Sequence, residues 1–378
     1  MENPRVTRIE WARLEGRKPR AAGGNARLIG HSQTVRPPLA RVTLEGSVSG
    51  FGWSSASREQ AVELLGKRWD EVFSPDAGAH GPGAPFDYPL WDLAGQRAGA
   101  PVYALVGRGA VADVATPFRA RCYDTTLLID DLHLASNEEA AALIAAEARD
   151  GYERGHRAFK IKIGRGARHL PLEEGMRRDV AVVQAVREAA GPDAPIMLDV
   201  NNGFNLNLAK RILEETADCH IFWLEEPFHE DTVLYQELKE WLASRGLGVL
   251  IADGEGQASP SLLQWTRDKL IDVVQYDIYG YGFSRWLALG KQLDEWGARS
   301  APHHYGGHYG NYVSGHLAAA VRGFTYVEWD EAATPGLDTS AYAIEEGWVR
   351  LPETPGFGLA LEESAFQSAV RENGWTVA

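Results

Sequence analysis

Three acidic side chains follow successive short apolar runs in the middle of the chain. Asp199 follows the apolar residues of IMLDVN, Glu225 those of FWLEEP, and Glu255 those of VLIADGE. Carboxylate oxygens on neighbouring strands suit a hard cation such as Mg²⁺, which keeps positions open for water and substrate. A single acid at such a place is usually a helix cap or a solvated loop residue, but three in succession predict a metal site. Asp253 competes with Glu255 for the third position, because a spacing of two places both on one face, and we favour Glu255.

Two lysines lie in the preceding apolar run, FKIKIG. Lys160 and Lys162 are two residues apart and should therefore share one face of a strand. A buried lysine is costly unless it is paired or functional, and near a metal and a second cation its pKa should fall enough for it to act as a base. The alternative is a pair of surface lysines.

The later apolar runs end in further groups capable of proton transfer. Asp277 and His303 follow adjacent runs, so the carboxylate could accept from one imidazole nitrogen and raise the basicity of the other. Glu328 closes the last run, TYVEWDE. The neighbouring residues Glu226 and His304 should point away from this group, because successive side chains alternate along a strand.

The segments that carry these residues alternate regularly. Eight strand-like runs and about seven helical segments follow one another from about residue 119 to 334, which predicts a parallel sheet with crossover helices. Closure into an α/β barrel fits this count and length, and it would gather all the strand-end groups at one face. An open doubly wound sheet is the alternative, but no G-x-G-x-x-G turn follows the first strands.

The chain divides into three parts by pattern. Residues 1–118 contain strand-like segments followed by helical ones and predict an α+β domain. Residues 119–334 form the predicted barrel, and residues 335–378 lack the alternation. We expect this last part to fold back on the N-terminal domain or the barrel wall.

Composition narrows the classes of partner. A net charge of −14 argues against nucleic acid or an anionic membrane as partner, whereas local lysines can still bind a small carboxylate. Only two cysteines, Cys122 and Cys219, occur, which fits a reducing compartment. The first residues have no apolar signal-peptide core, and no apolar run reaches the roughly 18 residues of a membrane span. We expect a cytoplasmic protein that forms a homo-oligomer.

At this point the motifs resemble a known family. K-I-K, L-D-V-N, L-E-E-P and A-D-G-E at successive strand ends are similar to the enolase superfamily, and the later Asp, His and Glu resemble its mandelate-racemase-like subgroup. The segment FDYPLWDLAGQRAGAPVYALVG looks like the helix that closes the family's N-terminal capping domain, so the resemblance covers nearly the whole chain. It implies a modified (β/α)₇β barrel capped by the N-terminal domain and the C-terminal tail.

The resemblance also implies a role for each strand-end residue. Lys162 would be the base on one face of the substrate, and Lys160 would tune its pKa and neutralise the substrate carboxylate. His303, oriented by Asp277, would act on the other face. The remaining implied roles are Mg²⁺ ligation by Asp199, Glu225 and Glu255, a hydrogen bond to the enolate from a protonated Glu328, and substrate contact by Asn201.

Two segments are candidates for substrate specificity. GGNARLIGH lies where the family's mobile capping loop closes the site, which makes Arg27 and His31 specificity candidates; the alternative is an ordinary surface loop. PHHYGGHYGNYVSGH is rich in histidine and tyrosine, so Tyr305, His304 and His308 are candidates too. A zinc site in this second segment is the alternative.

Bases on both faces of a substrate allow two outcomes. Removal of the proton alpha to a carboxylate followed by loss of a β-hydroxyl is dehydration, and the family's His–Asp members favour an acid sugar as substrate and a 2-keto-3-deoxy acid as product. Racemisation, epimerisation or cycloisomerisation through the same enolate is the alternative. Two other classes remain open, a sugar- or metal-binding barrel without turnover and a zinc hydrolase. No H-x-H pair stands at the first barrel strand to support the hydrolase, where RCYDTT occurs instead.

Overall fold

The structure is a computed structural model that describes residues 3–20, 23–107, 117–305 and 307–378. Its N-terminal part is mixed α and β. The strands of this part are β1 (Val6–Arg13), β2 (Gly16–Arg17), β3 (Thr34–Val35), β4 (Pro38–Leu44), β5 (Ser49–Trp53), β6 (Phe73–Ser74) and β7 (Gly78–Ala79). The helices are α1 (Arg58–Leu64), α2 (Asp87–Ala98) and α3 (Val102–Val106).

The middle of the chain alternates strands and helices. Its strands are β8 (Arg119–Leu127), β9 (Phe159–Lys162), β10 (Ile196–Asp199), β11 (Ile221–Glu225), β12 (Leu250–Asp253), β13 (Val273–Val274), β14 (Arg299–Ser300) and β15 (Val327–Trp329). The helices are α4 (Asn137–Glu153), α5 (Leu172–Ala190), α6 (Leu206–Glu215), α7 (Thr232–Arg245), α8 (Leu262–Arg267), α9 (Ile278–Tyr281), α10 (Phe283–Trp296) and α11 (Tyr309–Val313).

The C-terminal part adds short strands and one helix. These are β16 (Leu337–Asp338), β17 (Ala343–Glu345), β18 (Trp348–Arg350), β19 (Ala360–Leu361), α12 (Glu363–Asn373) and β20 (Trp375–Val377). β20 pairs with β1 in an antiparallel sheet of order β20-β1-β4-β5, and β18 pairs with the start of β8.

The strands of the middle part form a parallel barrel. Pairing runs without interruption from β8 through β14, and β15 pairs in parallel with β8. Ser300 of β14 forms a parallel bridge to Phe324, just before β15, which closes the circle. The barrel prediction is therefore confirmed, and the open doubly wound sheet is excluded. β9 (FKIK) and β10 (IMLD) are buried at every position, as expected for strands covered on both faces.

Two of the predicted strands are shorter than their apolar runs. β13 covers only Val273–Val274 of DVVQYDI, because the backbone leaves the ladder before Asp277, which precedes α9. β14 similarly ends before His303. Asp277 and His303 nevertheless form an isolated parallel bridge, so the two residues remain aligned at the same end of the barrel.

The barrel interior is apolar at one end and charged at the other. A cluster of Tyr123, Met197, Trp223, Val273 and Tyr326 fills the interior below the strand ends. These packed rings leave no open pore, as in other barrels of this type. The charged groups at the strand ends therefore pack on a layer of buried apolar side chains.

A buried arginine ties the segment after β9 to the rest of the barrel. The Arg165 guanidinium donates to Asp131 at 2.5 Å and to Asp179 of α5 at 2.7 Å, and all three side chains are fully buried. A buried ion pair depends on both partners, because the removal of one leaves an uncompensated charge.

We expect Arg165→Met to lower the free energy of unfolding by about 3–5 kcal/mol, because it removes the cation that pairs with the buried Asp179 and leaves the buried Asp131 with the more distant Arg178, at 3.6 Å. Urea denaturation followed by circular dichroism measures this. The matched control is Arg36→Met, which removes an ion pair to Glu15 whose side chains are 65% and 53% exposed. That change should cost less than about 1 kcal/mol. Equal losses for the two variants would contradict the assignment.

No helix in the described part of the chain has the length and apolarity that a membrane crossing requires.

Candidate active site

The three predicted metal ligands come together at the carboxyl end of the barrel. Asp199 ends β10, Glu225 ends β11, and Glu255 lies two residues beyond β12. One carboxylate oxygen from each lies within 4.8 Å of the other two. Burial and the neighbouring Asp199 raise the pKa of Glu225 to about 8. A divalent cation bound here would relieve this repulsion between the carboxylates. The all-oxygen donor set fits Mg²⁺.

Asp253, the competing third ligand, is engaged elsewhere. Its carboxylate accepts from the Tyr235 hydroxyl of α7 at 2.5 Å and from the Gly254 amide at 2.7 Å. It points toward α7, whereas Glu255 joins the carboxylate group. The structure therefore supports Glu255.

The two lysines contact the carboxylates directly. The Lys160 ammonium lies 2.7 Å from Glu225, 3.1 Å from Glu328 and 3.3 Å from Asp199, while Lys162 donates to Asp199 and to Asn201. Burial lowers the pKa of Lys162, but Asp199 outweighs it and the pKa is raised. This raised pKa reflects the protein's own groups, in which carboxylates surround the ammonium, and the lowering expected beside a bound metal stays a prediction.

His303 is held between two carboxylates. Its Nδ1 lies 2.5 Å from Asp277, and its Nε2 lies 3.1 Å from Glu255. Burial lowers the pKa of His303, but Glu255, Glu328 and Asp277 outweigh it and raise the pKa to about 10. Asp277 also accepts from the Gly256 amide at 2.8 Å, which fixes the carboxylate that orients the ring.

We expect Asp277→Asn to lower the pKa of His303, because it removes a charge that stabilises the imidazolium, and to lower kcat by about 10–100-fold. Asp277 acts here as a positioning residue. NMR titration of the His303 ring and the pH–rate profile measure the two effects. An unchanged His303 titration would show that the carboxylate does not govern the ring.

Glu328 is surrounded by hydrogen-bond donors. Its carboxylate accepts from Thr125 at 2.9 Å and Lys160 at 3.1 Å, and from the backbone amides of His304 at 2.7 Å and Tyr305 at 3.1 Å. Burial raises the pKa of Glu328, but Lys160 and His303 hold it well below its usual range. Four donors point at this carboxylate and favour its ionised form, and the hydrogen bond from a protonated Glu328 to the enolate stays a prediction.

Glu226 also lies at the site, contrary to the prediction from strand alternation. It stands just beyond the end of β11 with a φ of 43°, which turns its side chain back toward the carboxyl end. Its carboxylate accepts from Asn201 at 3.1 Å and from Asn202 at 2.7 Å. Asn201 donates in addition to Glu255 at 3.1 Å, so this amide links Lys162, Glu226 and Glu255.

A cavity of about 400 Å³ opens above these groups. On the barrel side it is lined by Lys162, Asn201, Glu255, His303 and Tyr305, and on the N-terminal side by Lys18, Asn25, Leu28, His31, Ser32, Thr34 and Val35. Bases, amide and one candidate metal ligand thus face a single space. Two of the predicted specificity residues, His31 and Tyr305, contribute to it as well.

Arg27 does not line this cavity. It lines an adjoining cavity of about 480 Å³, where its guanidinium lies 3.3 Å from the His229 ring. The adjoining cavity also includes Asn201 and Glu255. The structure therefore separates His31 from Arg27, which the sequence had grouped together.

The comparison with protein-family models decides the family. A model described as "Enolase C-terminal domain-like" matches residues 143–365, more than half of the chain. The chain belongs to the enolase superfamily.

Solved structures of this superfamily match over the full length. Galacturonate dehydratase from Geobacillus sp., solved with D-galacturonate and 5-keto-4-deoxy-D-galacturonate, is 45% identical, has a TM-score of 0.95 and is matched over 100% of both chains. A mandelate racemase/muconate lactonizing protein from Geobacillus sp., solved with magnesium and tartrate, is 45% identical with a TM-score of 0.96, covering 100% of this chain and 98% of that one. D-galactarolactone cycloisomerase from Agrobacterium fabrum is 26% identical over 74% of this chain and 71% of its own.

In the histidine-rich segment of this enolase-superfamily chain, the histidines that follow His303 make structural contacts. His304 contacts the Glu328 carbonyl at 2.5 Å, His308 lies 3.2 Å from the Thr334 hydroxyl, and His316 accepts from the Tyr103 amide at 3.0 Å. Among the residues that the structure describes, the group suited to a metal consists of Asp199, Glu225 and Glu255. The segment therefore offers no zinc site there.

Sequence reasoning missed Lys18. This lysine follows the two-residue strand β2, and its side chain is 5% exposed at the wall of the cavity. No periodicity surrounds it, and a lone lysine near the start of a chain is usually solvated. Its burial arises only where the N-terminal part packs on the barrel.

Proposed function

We propose that the protein is a Mg²⁺-dependent acid-sugar dehydratase whose substrate is a hexuronate such as D-galacturonate. The observation that carries this is the position of two bases on either side of the metal group. Lys162 of β9 contacts Asp199, and His303 beyond β14 contacts Glu255, so the carboxylates lie between them in the order of the sheet. The full-length similarity to a galacturonate dehydratase supports the substrate class.

Asp199, Glu225 and Glu255 would hold the Mg²⁺ ion. When bound, the ion supplies positive charge beside the substrate carboxylate, where negative charge develops as the alpha proton leaves. Lys160 adds a second, fully buried positive charge beside Glu225. Such positive charges lower the activation free energy of proton removal, because they stabilise the transition state more than the bound substrate.

Lys162 and His303 carry out the two proton transfers. One takes the proton alpha to the carboxylate, and the other gives a proton to the β-hydroxyl as it departs as water. Counted from the carboxylate carbon, the product carries its keto group at position two and its deoxy carbon at position three. The 5-keto-4-deoxy-D-galacturonate bound to the Geobacillus protein has this relation.

We further infer that residues 1–118 and 335–378 form one capping domain over the barrel of residues 119–334. The pairing of β20 with β1 joins the two segments in a single sheet. The cavity supports this role, because seven residues between Lys18 and Val35 line it.

A second candidate is isomerisation through the same enolate, as a racemase, an epimerase or a cycloisomerase. The similarity to a D-galactarolactone cycloisomerase favours it, because that relative shares the family. The two functions differ in whether the β-hydroxyl leaves.

Proton NMR in D₂O tests both. With D-galacturonate and Mg²⁺, we expect the signals of a keto-deoxy acid to grow while those of the substrate decline. Exchange at the alpha carbon without a keto-deoxy product would move the assignment to the isomerase. No change with any hexuronate or other acid sugar would contradict the proposed function.

A further inference from the structure

Lys18 is fixed against the barrel by its backbone. Its neighbour Arg17 exchanges two backbone hydrogen bonds with Ala333, both at 2.9 Å, and Lys18 itself donates its amide to Gln33 at 2.8 Å. The short strand β2 is thereby joined to the segment that follows β15. This junction places the Lys18 side chain beside Asp330.

Lys18 and Asp330 form a buried ion pair. The ammonium lies 3.5 Å from a carboxylate oxygen of Asp330, and the two side chains are 5% and 1% exposed. The ammonium also lies 3.7 Å above the centre of the Tyr305 ring. Each buried charge compensates the other, so the pair is close to neutral as seen from its surroundings.

The two charges of this pair differ in the cavities that they line. Lys18 and Tyr305 line the cavity that contains Lys162 and His303 and also a neighbouring cavity of about 390 Å³, whereas Asp330 lines the neighbouring cavity alone. The substrate side therefore meets an ammonium whose charge is already balanced from behind. A second carboxylate arriving there would lose its hydration without gaining an unpaired cation.

Neutral hydrogen-bonding groups complete this wall. The His31 Nε2 and the Tyr305 hydroxyl are buried and have no hydrogen-bond partner among the described residues, and their rings pack edge to face at 5.1 Å. Burial, together with Lys162 and Lys18, lowers the pKa of His31 to about 4, so its ring is neutral. Such groups suit hydroxyl and carbonyl oxygens of a sugar.

We propose that Lys18, His31 and Tyr305 form a subsite for the uncharged end of a monocarboxylic sugar acid, and that Asp330 excludes a second carboxylate from it. The inference rests on the proposed function, in which the metal side takes the only carboxylate. It assigns uronates and aldonates as substrates and excludes the corresponding diacids.

D-Galacturonate and galactarate are a matched pair for the test, because they differ only in the oxidation state of the carbon at the uncharged end. Calorimetry with Mg²⁺-loaded protein should show galacturonate binding at least about tenfold more tightly than galactarate. Asp330→Asn leaves Lys18 unpaired and should raise the affinity for galactarate relative to galacturonate at least about tenfold. The double variant Lys18→Met/Asp330→Asn should lose that gain.

The outcomes separate this inference from the proposed function. Equal binding of the two acids by the unmodified protein overturns the subsite, as does an unchanged ratio in a folded Asp330→Asn variant. If that variant does not fold, as judged by its thermal transition, Lys18→Met decides, because it removes the positive charge of the pair and should weaken galactarate further relative to galacturonate. Selective binding of galacturonate without any keto-deoxy product would support the subsite and contradict the dehydratase.

Discussion

His303→Asn should lower kcat for dehydration on the order of 10³-fold, and Lys162→Ala should have an effect of the same order. Each change removes a proton-transfer group that the cavity cannot replace, because the chain supplies one base on each side of the carboxylates. Steady-state kinetics with D-galacturonate and Mg²⁺ measure both effects. Lys291→Ala, on the exposed face of α10, is the control and should retain the activity of the unmodified protein.

Deuterium exchange then assigns the two roles. The variant that still exchanges the alpha hydrogen in D₂O keeps the base that starts the reaction and has lost the group that assists departure of the hydroxyl. The variant that no longer exchanges has lost the initiating base. Near-normal kcat in either variant would remove that residue from the mechanism.

Chelation by EDTA should abolish turnover while leaving the fold intact. The carboxylates lose their bound cation, but Lys160 and Lys162 still neutralise Asp199 and Glu225 within the protein. We therefore expect an unchanged circular dichroism spectrum and full recovery of activity when Mg²⁺ is returned in excess. Turnover that persists in excess EDTA would falsify the metal requirement.

Glu225→Gln tests the metal site by substitution of a ligand instead of removal of the ion. It removes one anionic ligand and should weaken Mg²⁺ binding by about 10–100-fold. Calorimetric titration with Mg²⁺ reads this directly and does not depend on turnover. The isosteric Asp253→Asn is the matched control, because Asp253 is bound to Tyr235 and should leave the Mg²⁺ affinity unchanged.

The polar residues at the strand ends were the part of the site that the sequence predicted best. Asp199 and Glu225 end buried strands, and in a parallel barrel that position alone places them together. Asp277 and His303 lie next to each other for the same reason, even though both stand beyond the ends of their shortened strands. Periodicity was therefore sufficient wherever the residue belonged to the barrel ladder.

The features that were missed or misplaced depend on more than the barrel ladder. Alternation failed for Glu226 because its backbone turns to a positive φ just after β11. Lys160 and His303 hold the pKa of Glu328 low, but the amides of His304 and Tyr305 also donate to its carboxylate, and no side-chain pattern reveals these amides. Lys18 became part of the cavity only through packing between distant segments.

The pairing of β20 with β1 has a consequence for the order in which parts of this protein fold during synthesis. Arg13 and Asn373 are hydrogen-bonded although 360 residues separate them, and β20 follows directly. While a ribosome is still making the barrel, β1 has one long edge without a partner, and exposed edges invite pairing with other chains. Slow translation of the segment before β20 should therefore prolong a state that is prone to aggregation, and chaperones should be most needed in that interval.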